Sequence, residues 1–303
     1  MSKSKTRTGP SIDSIKAKER EKLSFLARME YKKMITYPLA VFLIALILLA
    51  ISFPPLGIDL NGGVVVTGYG VDANPDELAK YVSDKIGVDV RVERFTGVQS
   101  TGVRVYAPAG TDPVRIIRVL KERYPNAEYI HSEVQPTFGK IAQQQGIRAL
   151  VFAFLAMAAV VFLFFRSLVP SLTIIFSALS DMTIAVALMG IFGIELTTAT
   201  IAALLMLIGY TVDSNILLTT KLLKRKEGSV EEAYLSAVST GFTMSTTTLG
   251  ALFVLWLVST NQTIDNIAIV LIFGLLADFM NTWVLNAGVL KWYLTREARG
   301  GRV

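Results

Sequence analysis

Three aspartates stand inside long apolar runs: Asp181 in "ALSDMTI", Asp213 in "LIGYTVDSNILL" and Asp278 in "GLLADFMNTWVLNAG". A carboxylate at the centre of a membrane span costs roughly 2.5–3.5 kcal/mol on insertion scales. Acids kept at that cost relay protons or ions, or they are neutralised by desolvation and hydrogen-bonded to a neighbouring helix. All three are therefore candidates for a proton or ion relay, Asp213 first. Neutral polar residues are candidates to line the same interior: Ser214, Asn215 and Asn281, with Ser239, Thr240 and Thr243 from the run "VSTGFTMSTTTLG". That run also reads as close helix packing through small residues, as do Gly190, Gly193 and Gly209. Asn286 suits either role. The chain has no cysteine and one histidine, His131, so thiolate chemistry and a His/Cys metal site lack their ligands. No catalytic residue, metal or cofactor is expected. A glycosylation sequon at Asn261 sits in a very short loop.

Holding acids in such runs is the work of membrane helices. The 303 residues are 52% hydrophobic, whereas soluble domains reach about 45–50% only with glycine counted. The excess collects in blocks near the ~20 residues that cross a bilayer. Spans are expected at about 34–54, 147–165, 169–191, 196–219, 237–258 and 264–292. Lys and Arg, which give the net charge of +6, gather at the chain ends and in "FFRSLVP" and "KLLKRKEGS"; "GIFGIEL" and "VSTNQTID" have none. That alternation orients a membrane protein with both termini cytoplasmic and does not resemble a nucleic-acid surface. The first apolar run has no signal-peptide cleavage pattern after it and reads as a retained helix. The chain divides into a basic N-terminus with a short amphipathic piece (1–33), a first span (34–56), an exterior block (57–145), a five-helix bundle (146–293) and a cytoplasmic tail (294–303).

The exterior block alternates strand and helix signals. "GGVVVTGYGV" is β-branched and bounded by glycines. "NPDELAKYVSDKIG" opens with Asn74 as N-cap and Pro75 at N1, and stops at Gly87. "VDVRVERF" and "GVRVYAP" alternate apolar and polar residues around a turn at 99–102. "DPVRIIRVLKERYP" opens on Asp112 as cap, and "AEYIHSEVQPTF" reads as a last strand. The order β-α-β-β-α-β is that of the ferredoxin-like split βαβ motif. The fold class is thus a polytopic α-helical membrane protein of six spans with an exterior α+β ferredoxin-like domain between helices 1 and 2. Between spans four and five, Ser229 and Glu232 have capping-box spacing, which predicts a short cytoplasmic helix.

Directly after the first span, "GIDLNGG" resembles the GIDFxGG signature of the SecF protein-export membrane proteins, at Gly57, Asp59, Gly62 and Gly63. The layout of one span, a large exterior domain and five close spans is similar too. Asp181 matches the family's His-Asp pair in span three with Ser180 in place of His, and "IGYTVDSNILLTTKLLKRKEG" resembles its span-four motif. The resemblance implies a non-enzymatic accessory subunit of the Sec translocon in the plasma membrane. Such a subunit pairs with SecD into a twelve-span pseudo-symmetric unit. Its implied partners are SecD, the translocon channel, the translocating polypeptide and the lipid bilayer, and its implied energy source is the proton-motive force. This chain departs from the bacterial pattern. The motif's acid falls at Ser214, Asp213 takes an Asn position, "VDSN" is closer to the VDAN of SecD, and the family's span-five arginine is absent. The pattern resembles the archaeal branch. An ion-coupled small-molecule exporter of the resistance–nodulation–division type is the alternative, but that class carries two six-span halves in one chain. An intramembrane aspartyl protease needs GxGD, which "GYTVD" breaks.

Overall fold

The computed structural model describes residues 29–96, 101–224, 229–259 and 261–299. Most of the basic amino-terminal segment, the first half of the 99–102 turn, loop residues 225–228 and the last four residues of the tail lie outside them. The first span is α1 (Tyr31–Ile51), followed by a single-turn helix, α2 (Ile58–Asn61). The exterior domain runs β1 (Gly63–Tyr69), α3 (Pro75–Ile86), β2 (Arg91–Thr96), β3 (Thr101–Ala107), α4 (Pro113–Arg123) and β4 (Glu128–Val134). Its four strands lie in the order β2-β3-β1-β4, and every neighbouring pair is antiparallel. That is the split βαβ arrangement: each helix crossover skips one strand.

Local chemistry sets these elements. The Asn74 side chain accepts the Asp76 amide at 3.0 Å, and Asp112 accepts that of Val114 at 2.9 Å, so both helices are capped where the sequence predicts. Leu78, Val82 and Ile86 of α3 join Ile116, Val119 and Leu120 of α4 over Val64, Val66, Val103 and Val105 of the sheet. Strand alternation puts Arg91, Glu93, Arg104 and Tyr106 on the opposite face, toward the bundle. The last strand ends at Val134, short of the expected "QPTF". Pro136 has no amide to give a ladder, but it suits a helix's first turn.

That proline opens α5 (Pro136–Phe165), and α6 (Leu168–Phe192), α7 (Thr198–Leu223) and α8 (Val230–Val258) follow. The sixth span is composite: α9 (Gln262–Met280), a π-helical turn at Asn281–Asn286, then α10 (Ala287–Arg299). The Ser229–Glu232 capping box is present, but the helix it starts runs unbroken into span five. Asn261 caps α9 by accepting the Thr263 amide. Among the described residues, six helical stretches are long and apolar enough to cross a membrane. Burial sorts them into an inner and an outer group: the apolar stretches of spans three, four and six are 50%, 50% and 56% buried, against 17%, 11% and 11% for spans one, two and five. The three acids sit on the inner spans, yet not all of them face inward.

Candidate functional site

Span four places its polar residues by helix angle. At 3.6 residues per turn, positions 211, 214, 215 and 218–219 share one face. Thr211, Ser214, Asn215 and Thr219 are all buried there. Asp213 points away and is exposed.

Span three brings Asp181 to this face and span six brings Asp278. The Thr211 hydroxyl donates to Asp181 Oδ2 at 3.0 Å, and Asn281 Nδ2 donates to Asp181 Oδ1 at 2.7 Å and to the Ser180 hydroxyl at 2.9 Å. The Ser214 hydroxyl lies 2.9 and 2.8 Å from the two oxygens of Asp278, and Thr282 donates to Asp278 Oδ1 at 2.7 Å. Beyond them, Asn286 Nδ2 donates to Asn215 Oδ1 at 2.6 Å. Asp181 and Asp278 are 0% and 1% exposed. No salt bridge among the described residues reaches either. Two buried carboxyl groups held only by neutral donors are costly to keep ionised, because desolvated unpaired charge is unfavourable and such a group is otherwise neutralised by a proton. The buried amide oxygens of Asn281 and Asn286 have no hydrogen-bond partner.

Two sequence expectations change here. Asp213 does not look across the interior at Asp181 and Asp278. Consecutive helix positions point about 100° apart, and Ser214 takes the inward one. Ser239, Thr240 and Thr243 do not line the bundle interior either. They border an open groove of about 740 Å³ on α8, with Met244 and Thr247. Their own helix takes up these hydroxyls: Thr240, Thr243 and Thr247 donate to the carbonyls of Ser236, Ser239 and Thr243 at 2.9, 3.0 and 2.8 Å. From span four, Lys221 Nζ also donates to the Ser236 carbonyl at 3.0 Å and to the Thr240 hydroxyl at 2.9 Å. Gly209 and Gly250 also open to free space, whereas a Cβ on Gly190 would meet the Ser52 carbonyl at 1.8 Å.

The signature loop ties four segments together. Asp59 accepts the amide and the hydroxyl of Thr198, so it caps span four from outside that helix. The Gly57 amide donates to the Leu196 carbonyl at 2.8 Å, and the Leu196 amide to Pro55 at 2.7 Å. Gly62 turns with φ +79°, and a Cβ there would lie 2.8 Å from Pro136 Cα, so the start of span two requires glycine. Gly63 opens β1.

A second set of contacts, absent from the sequence reading, joins the sheet to the inner spans. Arg91 pairs with Glu195 in the loop before span four. Gln262, the first residue of α9, bonds Glu93 and accepts from Arg104 at 2.9 Å and Tyr106 at 3.1 Å. Burial pushes the Glu195 carboxyl above the usual glutamate range, although Arg91 pulls the other way. Burial, then the Glu93 charge, raises the Tyr106 phenol. A cavity of about 400 Å³ lies between sheet and bundle, bordered by Asp59, Arg104, Tyr106, Glu195 and Gln262. His131 is exposed on β4. Among the described residues no group of three or more His, Cys, Asp or Glu could hold a metal. Thr211 and Thr282 were also missed. Their signal is spacing: 211, 214, 215, 219 and 278, 281, 282, 286 are runs of threes and fours.

The family described as "Protein export membrane protein SecD/SecF, C-terminal" matches residues 116–296. The chain is 65% identical over 300 residues to the protein-export membrane protein SecF of Thermococcus gammatolerans, covering 96% of this chain and 94% of that one. It is 59% identical over 294 residues to the SecF of Pyrococcus furiosus, covering 95% and 98%. Its fold is similar to the crystal structure of SecDF, a translocon-associated membrane protein from Thermus thermophilus, with a TM-score of 0.74 at 17% identity. That match covers 87% of this chain but 38% of the longer SecDF chain. Membership of this family implies a multi-pass membrane component of protein export, without enzymatic chemistry, that associates with SecD. With full-length relatives at this identity and a family match over more than half its length, the chain belongs to the SecF protein-export membrane proteins of the SecD/SecF family.

Proposed function

We propose that the chain couples ion entry at the Asp181–Asp278 pair to movement of its exterior sheet, with SecD completing a second acidic site at Asp213. The sheet lies on the outer side of the membrane, where the exported polypeptide emerges from the translocon channel, and both termini are cytoplasmic. The driving ion is the proton of the proton-motive force. One observation carries this reading: a buried carboxylate pair sits on spans three and six, and neutral hydroxyls of span four hold it. Transmission follows the same spans. Glu195, just before span four, and Gln262, the first residue of span six, are also the residues that grip the sheet. A change of charge at the pair that shifts spans three, four and six against each other therefore displaces the sheet contacts.

Asp213 plays a different part. It shares an exposed face with Tyr210 and Gly209, and span five separately exposes a hydroxyl-lined groove. Small residues and hydroxyls are what membrane helices use to associate closely. SecD, the partner of the twelve-span unit, packs on the exposed face of span four and supplies the basic or polar group that Asp213 lacks here. Export into vesicles carrying SecD, this chain and the translocon, with an imposed proton gradient, tests the reading. Asp181→Asn and Asp213→Asn should each assemble with SecD and each lose the gradient's acceleration of export. An undiminished response in Asp181→Asn would remove the buried pair from the mechanism.

A further inference from the structure

Span six changes helical type where it meets the acid pair. An isolated π-helical turn is rare and inserts one extra residue into an α-helix. This one, Asn281–Asn286, has two faces with different duties. One presents Asn281 to Asp181, Thr282 to Asp278 and Asn286 to Asn215. The other is gripped by span five. The Tyr234 hydroxyl donates to the Trp283 carbonyl at 2.7 Å, and both residues are fully buried. Two turns along α8, Gly241 leaves room for the Trp283 ring: a Cβ there would lie 1.8 Å from Trp283 Cζ2. A side chain bonding into the backbone ladder is a known cause of helix distortion, and buried carbonyls need such partners.

We propose that Tyr234 is a positioning residue for the acid pair: its hydroxyl on the Trp283 carbonyl holds span six in the π register that presents Asn281, Thr282 and Asn286 to their partners. Without that bond the turn relaxes toward a plain α-helix. Removing the extra residue rotates everything beyond it by about 100°, one residue's angle. Asn286 then leaves Asn215, and the donors on the carboxylates are strained or lost. Tyr234 acts through Trp283 and touches neither acid. The functional consequence rests on the reading of the acid pair given above; the positioning does not.

The test uses the complex of the full chain with SecD. Tyr234→Phe removes the hydroxyl and keeps the ring. Loss of one buried hydrogen bond shifts the population of the π register by up to roughly tenfold. With labelled aspartate, the infrared carboxyl bands of Asp181 and Asp278, assigned by their loss in Asp181→Asn and Asp278→Asn, should shift in Tyr234→Phe. Unshifted bands would overturn the proposal, whatever happens to export. Shifted bands with normal export would uphold the positioning and remove the functional reading of the pair. Should Tyr234→Phe fail to assemble, a carbon-13 label on the Trp283 carbonyl of the unsubstituted complex decides. An amide band lowered by a second donor supports the bond, and an ordinary helical band overturns it.

Discussion

The three aspartates of the inner spans stand in two opposite settings. Asp181 and Asp278 meet behind Ser214, enclosed by spans three, four and six and satisfied by neutral donors within the chain. Asp213, the neighbour of Ser214, stands on an open face of span four. The enclosed pair is complete in geometry and incomplete in charge. The open acid is incomplete in both. In the function proposed above, what differs is the source of the missing group: a mobile ion for the pair, a partner helix for Asp213. A membrane protein can keep an acid by enclosing it or by leaving it on an open face, and in this chain span four turns Ser214 to the enclosed pair and the adjacent Asp213 outward.

The largest effect is expected at the enclosed pair. Replacing both Asp181 and Asp278 with Asn should lower gradient-driven export by roughly 5- to 150-fold, the range of a coupling free energy of ~1–3 kcal/mol. SecD co-purification, checked alongside, should persist. Asp213 should separate from the pair when the chain is studied alone. Asp213→Leu removes an exposed acid worth roughly 2.5–3.5 kcal/mol in lipid, so the isolated chain in bilayers should resist thermal unfolding better, while export with SecD falls. Destabilisation of the isolated chain by Asp213→Leu would erase the contrast between the two sites.

A smaller effect belongs to the signature loop. Asp59→Ala removes the acceptor of the first amide of span four, Thr198, and leaves the Thr197 capping box in place, at a cost of about 0.5–2 kcal/mol. Faster hydrogen exchange at the Thr198 amide would report it, and unchanged exchange there would leave Asp59 without that role. The smallest is at Glu195. Burial raises its carboxyl above the ordinary range despite Arg91. A raised acid contributes stability that is full below the unfolded value and is lost as pH rises through the folded one. Sheet docking should therefore loosen as pH rises from the ordinary glutamate range through the raised value. Glu195→Gln should flatten that profile, and proteolysis of the exterior domain across pH measures it.

Much of this was legible in the sequence. Six blocks of about span length, caps at Asn74 and Asp112 and the order of strand and helix signals are local properties, and the structure keeps them. The facing of span four was not. Both sides of a membrane helix are apolar, so hydropathy gives no inward direction, and Asp213 drew attention by its charge while Ser214 and Thr211 did the inward work. The spacing of polar residues in threes and fours was the available signal. The Glu195 and Gln262 contacts join positions over a hundred residues apart, and no local pattern announces them. The π turn has no composition of its own: "NTWVLN" reads as ordinary helix until Tyr234 and Gly241 pack beside it.

The central claim is that the enclosed pair, and not the open acid alone, carries the ion. Proton entry into vesicles holding the complex of this chain with SecD, followed by a pH-sensitive dye under an imposed gradient, tests it most directly. The account predicts that entry is lost in the double variant Asp181→Asn, Asp278→Asn with the complex intact. Undiminished proton entry in that variant would contradict it.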